Sequence, residues 1–192
     1  MAVTQTEIFP ATPERWNDLA ELFGERGAYD GCWCMFWRLS AKEYSAGRYD
    51  GNREALRERV CDRGAPPPGV LAYMDGRPAG WCSLGPREEY GRLQRSRVLG
   101  PVDERPVWSI VCFYVDRHRR RGGVAKRLLG GAVEFARAGG ASTLEAYPID
   151  PNHRVPSSSE AYTGLLPMFL EAGFEVVARR GATERPIVRL EL

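Results

Sequence analysis

The chain is expected to fold as an α/β (α+β) domain, a mixed sheet with helices on its faces, and three stretches carry that expectation. Asp75-Gly76 lies between two apolar runs, a strong short-range signal for a tight hairpin. Val107 to Val115 is almost wholly apolar, short, and rich in β-branched and aromatic residues, which suits a strand buried on both faces. At Gly123 the apolar spacing switches to the helical period: Val124, Leu128, Ala132, Phe135 and Ala136 share one face, with Lys126, Arg127, Glu134 and Arg137 on the other.

The remaining elements follow in order. Thr6 to Phe9 reads as a strand. Thr12 and Pro13 suit the cap and first turn of a helix whose Trp16, Leu19, Ala20 and Phe23 fall at i, i+3, i+4 and i+7. After the aromatic and sulfur-rich CWCMFWRLS a second helix is expected from about Asn52 to Arg63, stopped by GAPPPG. The hairpin joins Val70–Met74 to Pro78–Leu84, and the polar stretch 86–101, with a short helix possible inside it, reads as an inserted loop. Gly139-Gly140 end the amphipathic helix, Ser142 to Tyr147 form a strand, and a long polar connection, PIDPNHRVPSSSEAY, follows. Leu165 to Glu171 is a short helix ended by Gly173, and Phe174–Arg179 with Ile187–Leu192 form a final strand pair. The order is β, α, α, β, β, β, α, β, α, β, β, with no repeat and no linker that would divide residues 1–192 into more than a single domain.

Composition narrows the function classes. Twenty-seven Lys and Arg against twenty-five Asp and Glu leave a net charge of +2, so any electrostatic role must be local, and neither nucleic acid nor an anionic membrane is an expected partner of the whole surface. The N-terminal MAVTQTEIFPATPERW lacks a basic segment followed by an apolar one, and no run approaches the roughly 18 apolar residues of a spanning helix, which points to the cytoplasm. Five cysteines without an export signal point to reduced thiols. Cys32-x-Cys34 has only His118 and His153 to complete a zinc site, so no metal is expected.

The chemistry concentrates in RHRRRGGVAKRLL, 117–129. A strand ends at Val115, a basic glycine-rich turn follows, and an amphipathic helix begins at Gly123. The first N–H groups of a helix have no intrahelical acceptor and carry the positive end of its dipole, so they can donate to phosphate oxygens, while glycines and the small Ala125 let a ligand come close. Neither the Walker pattern nor G-x-G-x-x-G is present. What remains is R-x-x-G-x-A from Arg120 to Ala125, and on these residues the sequence resembles the GCN5-related N-acetyltransferase (GNAT) superfamily, whose acetyl-CoA signature is Q/R-x-x-G-x-G/A between strand 4 and helix 3. The element order is similar to that family's over nearly the whole chain, and Phe169 to Phe174 (FLEAGF) resembles its terminal helix ending in Gly-Phe.

The resemblance implies a mostly antiparallel central sheet and direct acetyl transfer from acetyl-CoA to a primary amine of a small molecule or peptide. It implies a pyrophosphate on the backbone amides of Arg121, Gly122, Gly123, Val124, Ala125 and Lys126, charge from Arg120, and a pantetheine arm pairing with the backbone near Phe113 and Val115. Such chemistry needs a proton acceptor for the amine and a donor for the leaving thiolate. Glu145, which alternates with Leu144 and Ala146 in STLEAY, is the best carboxylate by position, and a structural salt bridge to an arginine is the competing role for it. Where many members carry the acidic tyrosine this chain has Phe169, so Tyr162 is the candidate proton donor, with packing of its loop as the competing role and Tyr147 and Cys112 as weaker substitutes. The acceptor would meet Trp33, Phe36, Trp37 and Tyr147, with a packed core corner as the competing and favoured role for the three CWCMFWR aromatics, and Asp150 or Glu160 could hold a cationic substrate or simply be solvated loop residues. An acyl-CoA-binding sensor with little turnover is the rival reading, and dimers are common in such folds.

Overall fold

The computed structural model describes residues 6–153, 156, 157 and 160–192, and among these seven strands form one sheet. The strands are β1 (Thr6–Pro10), β2 (Gly69–Met74), β3 (Arg77–Pro86), β4 (Trp108–Val115), β5 (Thr143–Ala146), β6 (Glu175–Arg180) and β7 (Arg185–Glu191). They lie in the order β1-β2-β3-β4-β5-β7-β6, and every neighbouring pair is antiparallel except β4 and β5. The mixed, mostly antiparallel sheet is the expected one. Asp75 and Gly76 both take positive φ, 52° and 74°, so the β2–β3 connection is the primed turn that Asp-Gly favours.

Helices cover both faces. On one side α5, here numbered with α1 (Trp16–Phe23), α2 (Ala41–Ala46), α3 (Asp50–Cys61), α4 (Gly91–Gln94) and α6 (Leu166–Glu171), runs from Val124 to Ala138. Its Val124, Leu128, Leu129, Ala132 and Ala136 pack on Val70, Ala72, Ile110, Leu144 and Ala146. Residues 71 and 73 alternate to the other face, where Leu71, Tyr73 and Trp81 meet Trp16, Leu19 and Phe23 of α1 and Leu56 and Val60 of α3. Tyr90, Leu93 and Leu99, from the stretch expected to be an inserted loop, form a third cluster against Val111, Tyr147 and Ile187. That stretch therefore has a core of its own.

One short helix, α2, departs from the sequence expectation, while α4 is the short helix that the stretch 86–101 allowed. α2 opens on a capping box, with the Ser40 side chain accepting from Glu43 N and the Glu43 carboxylate accepting from Ser40 N. It buries no residue, so it lacks the apolar stripe that would have announced it. α4 is only four residues long. Elsewhere element ends differ from expectation by one or two residues. Residues 154, 155, 158 and 159 of the polar connection lie outside the described set. Among the described residues no helix is long and apolar enough to cross a membrane.

The feature that positions the site is a fork. β4 pairs with β5 only through Trp108, Ser109 and Ile110, opposite Leu144, Glu145 and Ala146. β4 then continues to Val115 with β3 still beside it but, among the described residues, with no strand on its other edge. A register shift between Ser83 and Leu84 skips Val111, so β4 carries an extra residue where the fork opens, the arrangement that bends a strand and re-aims its side chains.

The packing of α5 is tightest at its middle. A Cβ on Gly131 would come within 2.4 Å of Ile8 Cγ2, whereas one on neighbouring Gly130 would meet nothing within 4 Å. Alanine improves helix propensity by about 1 kcal/mol at either position, and overpacking costs about 1–3 kcal/mol only at the first. Urea denaturation is expected to show Gly130→Ala stabilised by about 0.5–1 kcal/mol and Gly131→Ala destabilised.

Candidate active site

The open edge of β4 leads into the basic turn. The Asp116 side chain accepts from His118 N at 2.6 Å and its carbonyl from Arg119 N at 2.9 Å, which closes the turn over Arg117–Arg119. Arg121 and Gly123 take φ of 65° and 76°, and α5 begins at Val124. The Val124 side chain is buried in the core, which fixes the helix start against the sheet. Gly80 permits this approach, because a Cβ there would meet Val124 Cγ1 and Leu128 Cδ1 at 2.9 Å. No acceptor among the described residues takes the N–H groups of Gly123, Val124, Ala125 or Lys126, so four donors converge at the positive end of a 15-residue helix.

A groove runs along this edge. Phe113, Val115, Arg120 and Ala125 form one wall, and Tyr162, Gly164, Leu165 and Met168 form the other. Arg120 Nε donates to Val115 O at 3.3 Å, which holds the guanidinium beside the strand end. Lys126 ion-pairs with Glu171 of α6, and the Arg121, Gly122 and Gly123 positions are exposed. The residues expected to hold the donor are thus brought together, with Val124 contributing its amide while its side chain serves the core.

At its inner end the groove opens into a cavity of about 240 Å³. The two share Phe113, Tyr114 and Tyr162. Phe36 and Trp37 line the cavity as expected, with Phe23, Tyr44, Cys32, Cys34 and Cys112. Trp33 does not. It is 4% exposed and stacks on Trp16 and against Phe23, with Gly27 leaving room for its indole. Of its two expected roles the geometry matches core packing and not the acceptor wall: positive φ at Trp33 and Cys34 turns the chain, so neighbours in CWCMFWR point to different sides. Tyr44 escaped the sequence reading because α2 did. Of the two β4 residues beside Phe113 that line the cavity, Cys112 was named in the sequence reading as a weaker proton donor and Tyr114 was not.

Glu145 and Tyr147 also fall elsewhere. Glu145 is wholly buried, its Oε1 2.6 Å from Arg87 Nη1 and its Oε2 2.8 Å from Arg189 Nε. Tyr147 donates to the same carboxylate at 2.6 Å, lies 2.8 Å from the Ser109 hydroxyl, and also meets Arg87. Arg189 continues to Asp103, whose carboxyl this contact holds well below the usual carboxylate range. A carboxylate held between two guanidiniums on the far side of the fork faces neither groove nor cavity, so the general-base role expected for Glu145 and the acceptor role expected for Tyr147 give way to a structural clamp. Asp150 is likewise taken up by Arg179 at 2.9 Å.

Tyr162 is the expected catalytic residue that does reach both spaces. It sits in the turn Ala161–Thr163, tied down by Arg185, which donates to Thr163 Oγ1 at 2.7 Å and to Tyr147 O at 2.6 Å. The following residues bridge to Ile149, with Ile149 N donating to Gly164 O and Leu166 N to Ile149 O. Burial pushes the Tyr162 phenol up to about 12, so it is a protonated donor throughout the neutral range. Phe169 is fully buried, packed edge-on against Phe113 and Phe174. The Cys112 thiol, hydrogen-bonded to Cys34 and buried, is pushed well above its ordinary value. Among the described residues no cluster of three or more His, Cys, Asp or Glu could hold a metal.

Fold and groove together define a coenzyme A-dependent acyltransferase. Residues 33–155 match the Acetyltransferase (GNAT) family, and the chain belongs to it. Acetyl-CoA-dependent acetyl transfer is that family's activity. Its structure is similar to a GNAT-family acetyltransferase from Listeria monocytogenes (TM-score 0.59, 12% identity, 100% of this chain and 99% of that one). It is similar also to the PaiA N-acetyltransferase of Thermoplasma acidophilum in complex with coenzyme A (TM-score 0.53, 15% identity, 98% and 99%). A third is a GCN5-related N-acetyltransferase from Kribbella flavida (TM-score 0.56, 15% identity, 97% and 98%). None of the proteins of curated function matches the chain.

The clamp makes a stability prediction. Glu145→Gln leaves two buried arginines short of their counter-charge and is expected to cost about 3–5 kcal/mol. Chemical denaturation measures it, and a variant of wild-type stability but no activity would return Glu145 to the chemistry.

Proposed function

We propose that this chain is a single-domain N-acetyltransferase that moves acetyl from acetyl-CoA to a primary amine entering the aromatic cavity. The observation that carries the reading is the continuity of groove and cavity at Tyr162. A donor laid along the open edge of β4 would present its thioester where an acceptor in the cavity can reach it.

The residues present suit the donor. Gly123 supplies a left-handed turn whose absent side chain leaves open space, and the four free amides behind it suit a pyrophosphate. Arg120 adds charge at the strand end. The unpaired edge around Phe113 and Val115 offers the groups with which an extended amide chain can pair. When bound, acetyl-CoA supplies an activated acyl carbon and a thiolate leaving group.

The chain's part is positioning and proton traffic. Phe113 and Tyr114 form the shared wall between donor and acceptor spaces. Tyr162 holds its proton at Oη beside both and gives it to the departing sulfur, a role its raised pKa preserves at alkaline pH. With Glu145 locked in its clamp, the proton lost from the amine nitrogen is taken up by the Tyr162 phenolate, which restores the donor.

Two measurements test this reading. Gly123→Asp places a negative charge in the phosphate cradle and is expected to weaken acetyl-CoA binding on the order of 100-fold by calorimetry, while Arg119→Ala, whose guanidinium sits 3.8 Å from Asp75, changes it by less than about twofold. Normal affinity in Gly123→Asp would sink the cradle. Tyr162→Phe is expected to lower kcat by about 10²–10⁴ with acetyl-CoA affinity retained. Because the phenol ionises only near 12, the wild-type rate should show no alkaline fall from this group below about pH 11. An unchanged rate in the variant would remove Tyr162 from the reaction.

A further inference from the structure

The charge around the acceptor cavity says more than its shape. Among the described residues no Asp, Glu, Lys or Arg lines it; the wall is aromatic rings and thiols. An alkylammonium entering such a space would lose its hydration and find no counter-ion. Rings alone can hold a cation, but two of those in this wall, Phe36 and Tyr44, are already engaged. The Arg92 guanidinium sits 4.1 Å from the ring centroid of Phe36 and 5.2 Å from that of Tyr44, both cavity-lining. It is fixed there by Nε donating to Leu39 O at 3.0 Å, and no carboxylate among the described residues pairs with it. An ammonium on these rings would therefore face an uncompensated positive charge across a low-dielectric wall. The carboxylate that could have drawn a cation inward, Glu145, is spent between Arg87 and Arg189.

We propose that the acceptor is a neutral aromatic primary amine, an arylamine whose nitrogen carries no proton beyond its own two at neutral pH, with its ring among Phe36, Trp37 and Tyr44. This rests on the cavity being the acceptor site. The same feature explains how the reaction runs without a carboxylate base, since an arylamine needs no deprotonation before attack. The nitrogen lone pair forms the C–N bond, the C–S bond breaks with its electrons passing to sulfur, Tyr162 gives its proton to that sulfur, and one N–H proton restores the phenol. The products are an N-aryl acetamide and the free thiol of coenzyme A. Polyamines and lysine side chains, cationic at neutral pH, are excluded by the same electrostatics.

Two isomers of equal size, 4-methylaniline and benzylamine, separate charge from shape. Titrated calorimetrically into the protein without cofactor at pH 7.5, 4-methylaniline is expected to bind at least about tenfold more tightly, and with acetyl-CoA present its kcat/KM to exceed that of benzylamine by a similar factor. Arg92→Met should narrow the binding ratio to within about threefold by admitting benzylamine, while Arg92→Lys keeps it. Equal or tighter binding of benzylamine overturns the inference, as does an unchanged ratio in Arg92→Met, or 4-methylaniline that binds but is never acetylated beside bound acetyl-CoA. If acetyl-CoA itself does not bind, the donor reading falls, and the cofactor-free titration still decides the charge preference of the cavity.

Discussion

Parallel pairing between β4 and β5 stops after three residue pairs, and most of what this molecule does depends on that stop. Strands in a sheet satisfy each other's backbone groups, so an interior strand that loses a neighbour halfway along must find partners elsewhere. Here the unpaired half of β4 lies under the start of α5, and the space between it and the segment 161–168 is a groove with backbone on one side and a helix dipole at its end. An extended ligand that ends in phosphates answers both needs at once. The extra residue in β4 at Val111 sits where the strands part, which is where a bulge would bend one away from the other.

A fork held open needs its paired end held shut. The buried ring of Arg87, Glu145, Arg189, Tyr147 and Ser109 ties β4, β5 and β7 together at that end, with Glu145 opposite Ser109 on one side and Arg189 on the other. Buried ion pairs give little net stability against apolar packing, but removing one partner is costly, so they fix geometry more than they add free energy. The same residues that draw attention as titratable groups serve the register of the sheet. Under the proposed function, chemistry at the open end falls instead to backbone amides, aromatic rings and one phenol.

Several elements were legible because local patterns and tertiary demands agree in them. The Asp75-Gly76 hairpin, the apolar β4 and the amphipathic α5 each satisfy turn, burial and periodicity rules independently, and each lies within two residues of expectation. The glycine turn before α5 was legible for the same reason, since left-handed glycine and helix start are both local. α2 was missed because a helix that buries nothing leaves no stripe. Trp33 was misplaced because two consecutive left-handed residues redirect side chains in a way that spacing does not show. Glu145 did alternate away from Leu144 and Ala146 as expected, but which groups wait on that face depends on Arg87 and Arg189, distant by 58 and 44 residues.

By itself the sequence determined the order of the seven strands, the basic glycine turn that leads from Arg120 into α5, and the family resemblance, all of which rest on interactions between near neighbours. Tertiary structure alone decided where β4 and β5 separate, which of the aromatic residues face the cavity, that Tyr162 stands at its mouth while Glu145 does not, and that Arg92 lies against its rings. The physical reason is range. Hydrogen bonds of turns and helices act over a few residues and leave a pattern in the chain, whereas the shape and charge of a cavity are sums over side chains that meet only after the sheet has formed.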